Sequence, residues 1–197
     1  MHETQSKLGS RLRMQWRMKL WLGAALLLFV CCGYFAAQHM PLRAPTTLRT
    51  SLIDRLIPFS PGWTWAYLSL YLLLGSAWLA TTREQLWRYA AGMTAMCMVA
   101  FAIFFSWPVA GPRPAQPPDH AVYRLLVRYD GPLNTFPSLH VALAVYAARF
   151  GSHVLERSSS VALLLWIWAA VICWSTMPTK QHYFCLLYTS PSPRDRG

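Results

Sequence analysis

LWLGAALLLFVCCGYFAAQHMPL, residues 20–42, runs without a single Asp, Glu, Lys or Arg. A hydrocarbon core takes roughly 20 consecutive apolar residues to cross, so this stretch reads as a membrane span. It lies too deep in the chain, and lacks the small-residue cleavage site, for a removed signal peptide. Lys7, Arg11, Arg13, Arg17 and Lys19 crowd the segment before it. That is the pattern of a cytoplasmic N-terminus under the positive-inside rule. Four more charge-free stretches follow, at 56–82, 89–112, 131–148 and 158–179. The fourth of the five spans only if it begins near Pro137 and runs past Arg149.

Composition agrees with the spans. Apolar residues make up 55% of the 197 and charged residues 13%, about half the usual share. The expected fold is all-α: one polytopic membrane helix bundle with five spans, near 20–38, 63–81, 89–109, 137–155 and 161–175. Trp16, Trp21, Trp63, Trp65, Trp87, Trp107 and Trp174 fall near span ends, where amphipathic rings prefer the headgroup zone. The expected second span opens on two of them. Within the long loop after the third span, Val122, Leu125, Leu126 and Tyr129 recur at helical spacing, with Arg124 and Arg128 on another face. A short surface helix is expected there, lying on the membrane or packed over the bundle. The net charge of +11 raises nucleic acid as a partner, but no basic stripe carries interleaved stacking aromatics, so none is expected. Cys31, Cys32, Cys97, Cys173 and Cys185 lack metal-ligand spacing and read as small buried hydrophobes without disulfides.

Alternating from an inner N-terminus puts three polar islands on the same, outer side. They are Gly111-Pro112-Arg113-Pro114, Phe136-Pro137-Ser138-Leu139-His140, and the run from Ser175 to Lys180-Gln181-His182. Their residue types suit phosphoryl transfer. One histidine can attack phosphorus, a second can protonate a leaving oxygen, and an arginine can hold phosphate oxygens in a fork. Ser138, just after a proline at a helix start, sits where an anion meets backbone N–H groups. Taken singly each is ambiguous. Arg113 also fits a snorkelling boundary residue, and Lys180 fits either a boundary charge or a phosphate contact. His39, His120 and His153 lack such context and read as solvated residues. No metal or other cofactor is expected.

The order Arg-Pro, then Pro-Ser-x-His, then a serine seven residues before a histidine resembles the type 2 phosphatidic acid phosphatase superfamily. Phe-Pro-Ser-Leu-His with Thr-Lys-Gln-His-Tyr is most similar to its inositolphosphotransferase branch, which includes inositol-phosphorylceramide synthases. The resemblance covers 106–183, and the span pattern extends it to 20–183. It implies His182 as nucleophile, His140 as general acid, and Arg113, Ser138, Ser175 and Lys180 around the phosphate. It also implies a phospholipid, prenyl diphosphate or sphingolipid-type substrate, taken from the surrounding membrane lipids. The setting implied is the plasma (inner) membrane, with the site facing outside.

The chain departs from that pattern at Ser106, where a Lys is usual, and at Thr176, where an Arg is usual. It departs again at Leu186, where an Asp four residues after the nucleophile orients the imidazole. Loss of that carboxylate is expected to impair His182. From 187 to 197 the chain carries two prolines, two arginines and no apolar run, so it cannot form the family's sixth span. The expected organisation is a basic segment at 1–18, a membrane domain at 19–184 cut down from a six-span parent, and a non-native tail at 185–197.

Overall fold

The computed structural model describes residues 11, 13–48, 50–114, 119–155 and 160–183. Leu186, the tail and the turn at 156–159 lie outside the described residues. The architecture is helical: α1 (Trp16–His39), α2 (Leu52–Leu56), α3 (Thr64–Leu68), α4 (Leu70–Leu73), α5 (Arg83–Ser106), α6 (Ala121–Tyr129), α7 (Leu139–Val154) and α8 (Ser160–Ser175). Two of these, α1 and α5, are long and apolar enough to cross a membrane, and α8 is a shorter apolar helix. Their outward faces are apolar, with Leu28 and Phe35 on α1, Met98 and Val99 on α5, and Leu163 and Ile167 on α8 all exposed.

Helix starts follow local chemistry. Thr82 and Gln85 form a reciprocal capping box at the head of α5, as Ser51 and Asp54 do for α2. The short helix expected around Val122 to Tyr129 is α6, whose first turn is capped by the His120 ring, with Nδ1 accepting from the Tyr123 N–H at 3.2 Å. His120 therefore has a structural task that its lack of motif context did not suggest. Leu126 is buried as its spacing implies, but the other buried position is Tyr123.

Two features differ from the sequence reading. The expected second span is a broken helix: α3, α4 and a 3-10 segment at Leu74–Leu79. At the break the Ser69 N–H meets the carbonyls of both Trp65 and Ala66, and its hydroxyl donates to Ala66 O at 2.6 Å, which tightens the turn. The first helix also begins before Lys19 and takes that lysine into the interior, with Nζ donating to the carbonyls of Arg11 at 2.8 Å and Trp78 at 2.7 Å. Of the cysteines, Cys97 is buried, Cys173 partly so, and Cys31 and Cys32 are exposed on α1. The expectation that they are all buried is corrected for that pair.

The core lies between α5, α7, α8 and the broken helix, and α7 packs most extensively on α8. On α1, Gly33 sits where a Cβ would lie 2.2 Å from the Phe101 ring of α5, so the absence of a side chain sets this close approach. Along α5 the helix α1 packs closely, with Phe29 against Phe101 and Tyr34 against Phe104, but it leaves open space on its other side. Between it and α4, α6 and α7 lies a cavity of about 1280 Å³. The loops at one end are laced together. A two-residue parallel ladder joins Thr46–Thr47 (β1) to Val109–Ala110 (β2), and Val109 also bridges to Asn134.

Candidate active site

That laced end carries the three polar islands. Ser138 is the N-cap of α7, its Oγ accepting from the Val141 N–H at 3.2 Å, rather than a residue of the first turn. The cap leaves the hydroxyl able to donate, and aims the first N–H groups of α7 out of the helix. Two residues on, His140 is buried. Its Nε2 lies 2.9 Å from the carbonyl of Tyr67, and the two rings stack at 3.7 Å, 12° from parallel. A carbonyl only accepts, so Nε2 carries a proton and Nδ1 is left for exchange.

His182 arrives from a tight turn after α8. Its own N–H and that of Gln181 both bond the Thr176 carbonyl, and Lys180 takes a left-handed φ of 55° to allow it. The ring is buried, with Nδ1 at 2.9 Å from Thr135 O. By the same logic Nδ1 is the protonated nitrogen and Nε2 holds the lone pair. Burial pushes the His182 pKa below its ordinary value, and the Arg113 guanidinium pushes the same way. The Thr135 hydrogen bond and the Asp130 carboxylate oppose them without reversing the shift. His182 is thus held neutral near pH 7 with a defined tautomer. Both His140 and His182 line the 1280 Å³ cavity.

Arg113 works on the loop before α7. Its guanidinium donates to the carbonyls of Asp130 and Gly131, the latter at 3.0 Å, and to Gln181 Oε1 at 2.8 Å. These bonds clamp the loop at 130–135 to the turn that carries His182. Of five guanidinium donors, two remain uncommitted among the described residues. The Asp130 carboxylate accepts from the hydroxyls of Tyr34 at 2.6 Å and Tyr67 at 3.1 Å, so the residue stacked on His140 is tied to the same loop. Gly111 closes the arrangement: its N–H bonds Thr135 Oγ1 at 2.9 Å, and a Cβ there would lie 2.8 Å from both that oxygen and the Tyr183 ring.

The other two expected phosphate contacts are turned elsewhere. Ser175 is fully buried, and its hydroxyl donates to Ile172 O at 2.6 Å within α8. The Lys180 ammonium donates to Asp54 O at 2.8 Å and Ile57 O at 2.6 Å, fastening α2 to the His182 turn. Sequence reasoning missed Thr135, Tyr67, Asp130 and Gln181. Thr135, Tyr67 and Asp130 hold His182, His140 and Arg113 through backbone carbonyls, which leave no mark in residue type. Their side chains add the Gly111 bond, the ring stack and the tyrosine bonds. Gln181 had a signal, since it is a polar neighbour of the nucleophile candidate.

Two buried histidines in complementary tautomers, beside an arginine-clamped loop, suit chemistry on a phosphate. The model of the PAP2 superfamily matches residues 62–185, which include all of these groups except Tyr34 on α1 and Asp54 and Ile57 at α2. The chain belongs to that superfamily. Membership supports phosphatase-type activity on a phosphate-bearing substrate. No curated protein and no solved structure matches the chain.

Proposed function

We propose that this chain is an integral membrane enzyme that removes or transfers the phosphate-bearing headgroup of a lipid through a phosphohistidine on His182. The observation that carries the reading is the Nδ1 hydrogen bond from His182 to Thr135 O, which leaves Nε2 as a lone pair in a cavity shared with His140. In the first step Nε2 attacks phosphorus and the N–P bond forms as the ester P–O bond breaks. A substrate that enters as its phosphate monoanion passes its proton to the lone pair of His140 Nδ1, and the departing oxygen takes that proton from Nδ1, while the Tyr67 carbonyl keeps the N–H at Nε2. The free donors of Arg113, the Ser138 hydroxyl and the head of α7 meet the charge on the phosphate oxygens. Water then attacks phosphorus, His140 accepts its proton, and the N–P bond breaks to release phosphate.

An alcohol in place of that water makes the same machinery a transferase. The Phe-Pro-Ser-Leu-His form of the second motif favours this second reading. The bilayer would cover the apolar outer faces of α1, α5 and α8, with the broken helix and α7 completing five spans. The basic N-terminal segment would lie in the cytoplasm and the histidines would face the outside. Ser175 and Lys180 act on this account as supports of the turn rather than as phosphate ligands.

The test is phosphate release from phosphatidic acid and from a prenyl diphosphate by the reconstituted chain. His182→Ala should abolish release, and His140→Ala should slow it by about 10²–10⁴. Leu186→Asp separates catalysis from a purely structural role. If Thr135 O already fixes the tautomer, the gain stays well under the ~10⁴ that follows loss of an orienting carboxylate in triad enzymes. A chain inert with and without Asp at that position is a binding or structural protein.

A further inference from the structure

The cavity does not stop at the histidines. It follows α1 from Gln38, whose Nε2 bonds Gly131 O at 3.0 Å beside the site, to Lys19 at the other end. Nineteen residues at 1.5 Å each make that path about 28 Å long, close to the ~30 Å of a hydrocarbon core. Its walls are mostly apolar between these ends, with Leu26 and Val30 from α1, Leu70 and Leu74 from the broken helix, Leu125 from α6 and Leu143 from α7. Tyr34, Tyr71, Arg128 and Asp130 also reach it. Leu125 is 56% exposed and nevertheless faces this space. At the far end Lys19 donates to Trp78 O at 2.7 Å, its ammonium 5.8 Å from the Trp78 ring centre. Arg11, whose carbonyl takes the other Lys19 bond, is itself fixed to Val154 O at 3.2 Å. The inner end is therefore polar, hydrogen-bonded and tied to the end of α7.

We propose that this slot holds the hydrocarbon chain of the phosphate ester that reacts at His182, and that Lys19 and Trp78 close it and set the longest chain that fits. The proposal rests on the reading of the histidine pair given above. The occupant follows from continuity and dimensions. Both histidines line the slot at one end, so a chain held in it can carry its phosphate to them. At roughly 30 Å³ per water-sized group, 1280 Å³ holds on the order of 40 methylene-sized groups. With 1.52 Å bonds at tetrahedral angles, a rise of roughly 1.3 Å per carbon, 28 Å accepts an extended chain of about 22 carbons. A short-chain or soluble phosphate would leave most of this apolar space unfilled. A chain longer than the slot must displace a hydrogen-bonded ammonium.

Two glycines allow the slot to be shortened without disturbing its walls. Gly23 and Gly75 both line it near Lys19, and a Cβ at either meets nothing within 4 Å. Gly23→Phe and Gly75→Phe put a ring into the space instead of into a neighbour. The probe is octadecyl phosphonate with a diazirine at the chain end, photolysed with the purified full chain in nanodiscs and mapped by mass spectrometry. It needs no turnover. The expected adducts fall on Leu22–Leu26 and Leu74–Trp78 in the wild type. In each variant they drop about tenfold there, matching ~1.4 kcal/mol of overpacking, and move outward along α1. Three results overturn the proposal: adducts confined to the outer face of α8, an unchanged pattern in both variants, or equal labelling of the inner end by the matching diazirine alcohol. Failure of the catalytic reading is seen separately, as turnover that survives His182→Ala while the inner-end adducts persist.

Discussion

Arg113 offers the sharpest perturbation, because its sequence context points to phosphate whereas its bonds point to the loop at 130–135. The guanidinium serves three protein acceptors: Asp130 O, Gly131 O and Gln181 Oε1. At ~1.5 kcal/mol for each charge-assisted bond, the low end of the range, Arg113→Ala forfeits about 4.5 kcal/mol. Arg113→Lys keeps one bond at most two, since an ammonium has no planar fork, and forfeits about 1.5–3 kcal/mol. For a chain of this size each kcal/mol moves Tm by ~2–4 °C, so the alanine variant should melt ~10 °C or more below wild type, with lysine between. The loop also carries Thr135, whose carbonyl sets the His182 ring. A 1 Å shift there costs about 100-fold in kcat. The assay is thermal unfolding in nanodiscs beside kcat and KM on a phospholipid. Should Arg113→Ala melt with wild type and raise KM alone, the guanidinium belongs to the substrate and the loop-clamp reasoning is refuted.

Lys180→Met removes the two bonds to α2, so Tm should fall while KM for a phosphate ester stays within about twofold; a KM rise of about tenfold without a Tm change would return Lys180 to the phosphate. Gly111→Ala forces a methyl against Thr135 and Tyr183, costing ~1–3 kcal/mol and lowering kcat, and an unperturbed kcat would show that this contact does not bear on His182. Histidine NMR should find the His182 titration below the ordinary ~6.5, because burial disfavours the cation. The unfolded chain then binds the extra proton, so this contribution to stability is whole above pH ~6.5 and shrinks as pH falls toward the lowered folded value; a midpoint above 6.5 would contradict it.

How far the sequence carries can be seen residue by residue. The long charge-free runs become α1 and α5 because an apolar stretch of that length has one way to satisfy its backbone in a nonpolar setting. The second run is equally charge-free, yet it breaks at Ser69, where a hydroxyl and a doubly bonded N–H compete with the α-helical ladder. Charge counting cannot see that competition. At the site, histidines 42 residues apart were expected together and do line one cavity. Their tautomers were not legible, since each is fixed by a backbone carbonyl, of Thr135 and of Tyr67. Lys180 and Ser175 carried the right chemistry for phosphate, but local geometry turns the first toward α2 and the second into its own helix. The carboxylate expected at position 186 is Leu, and Thr135 O occupies the nitrogen such a carboxylate would hold.

The central claim is a covalent bond between phosphorus and His182 Nε2. Acid-quenched or rapid-mixing reactions with ³²P-labelled phosphatidic acid, followed by alkaline peptide mapping that preserves phosphohistidine, address it directly. The account predicts label on the peptide containing His182, chasing off with water and absent from His182→Ala. In His140→Ala it should still form, but slowly, since only the proton delivered to the leaving oxygen is missing. Label on another residue, or full turnover by His182→Ala, would contradict the mechanism at its root.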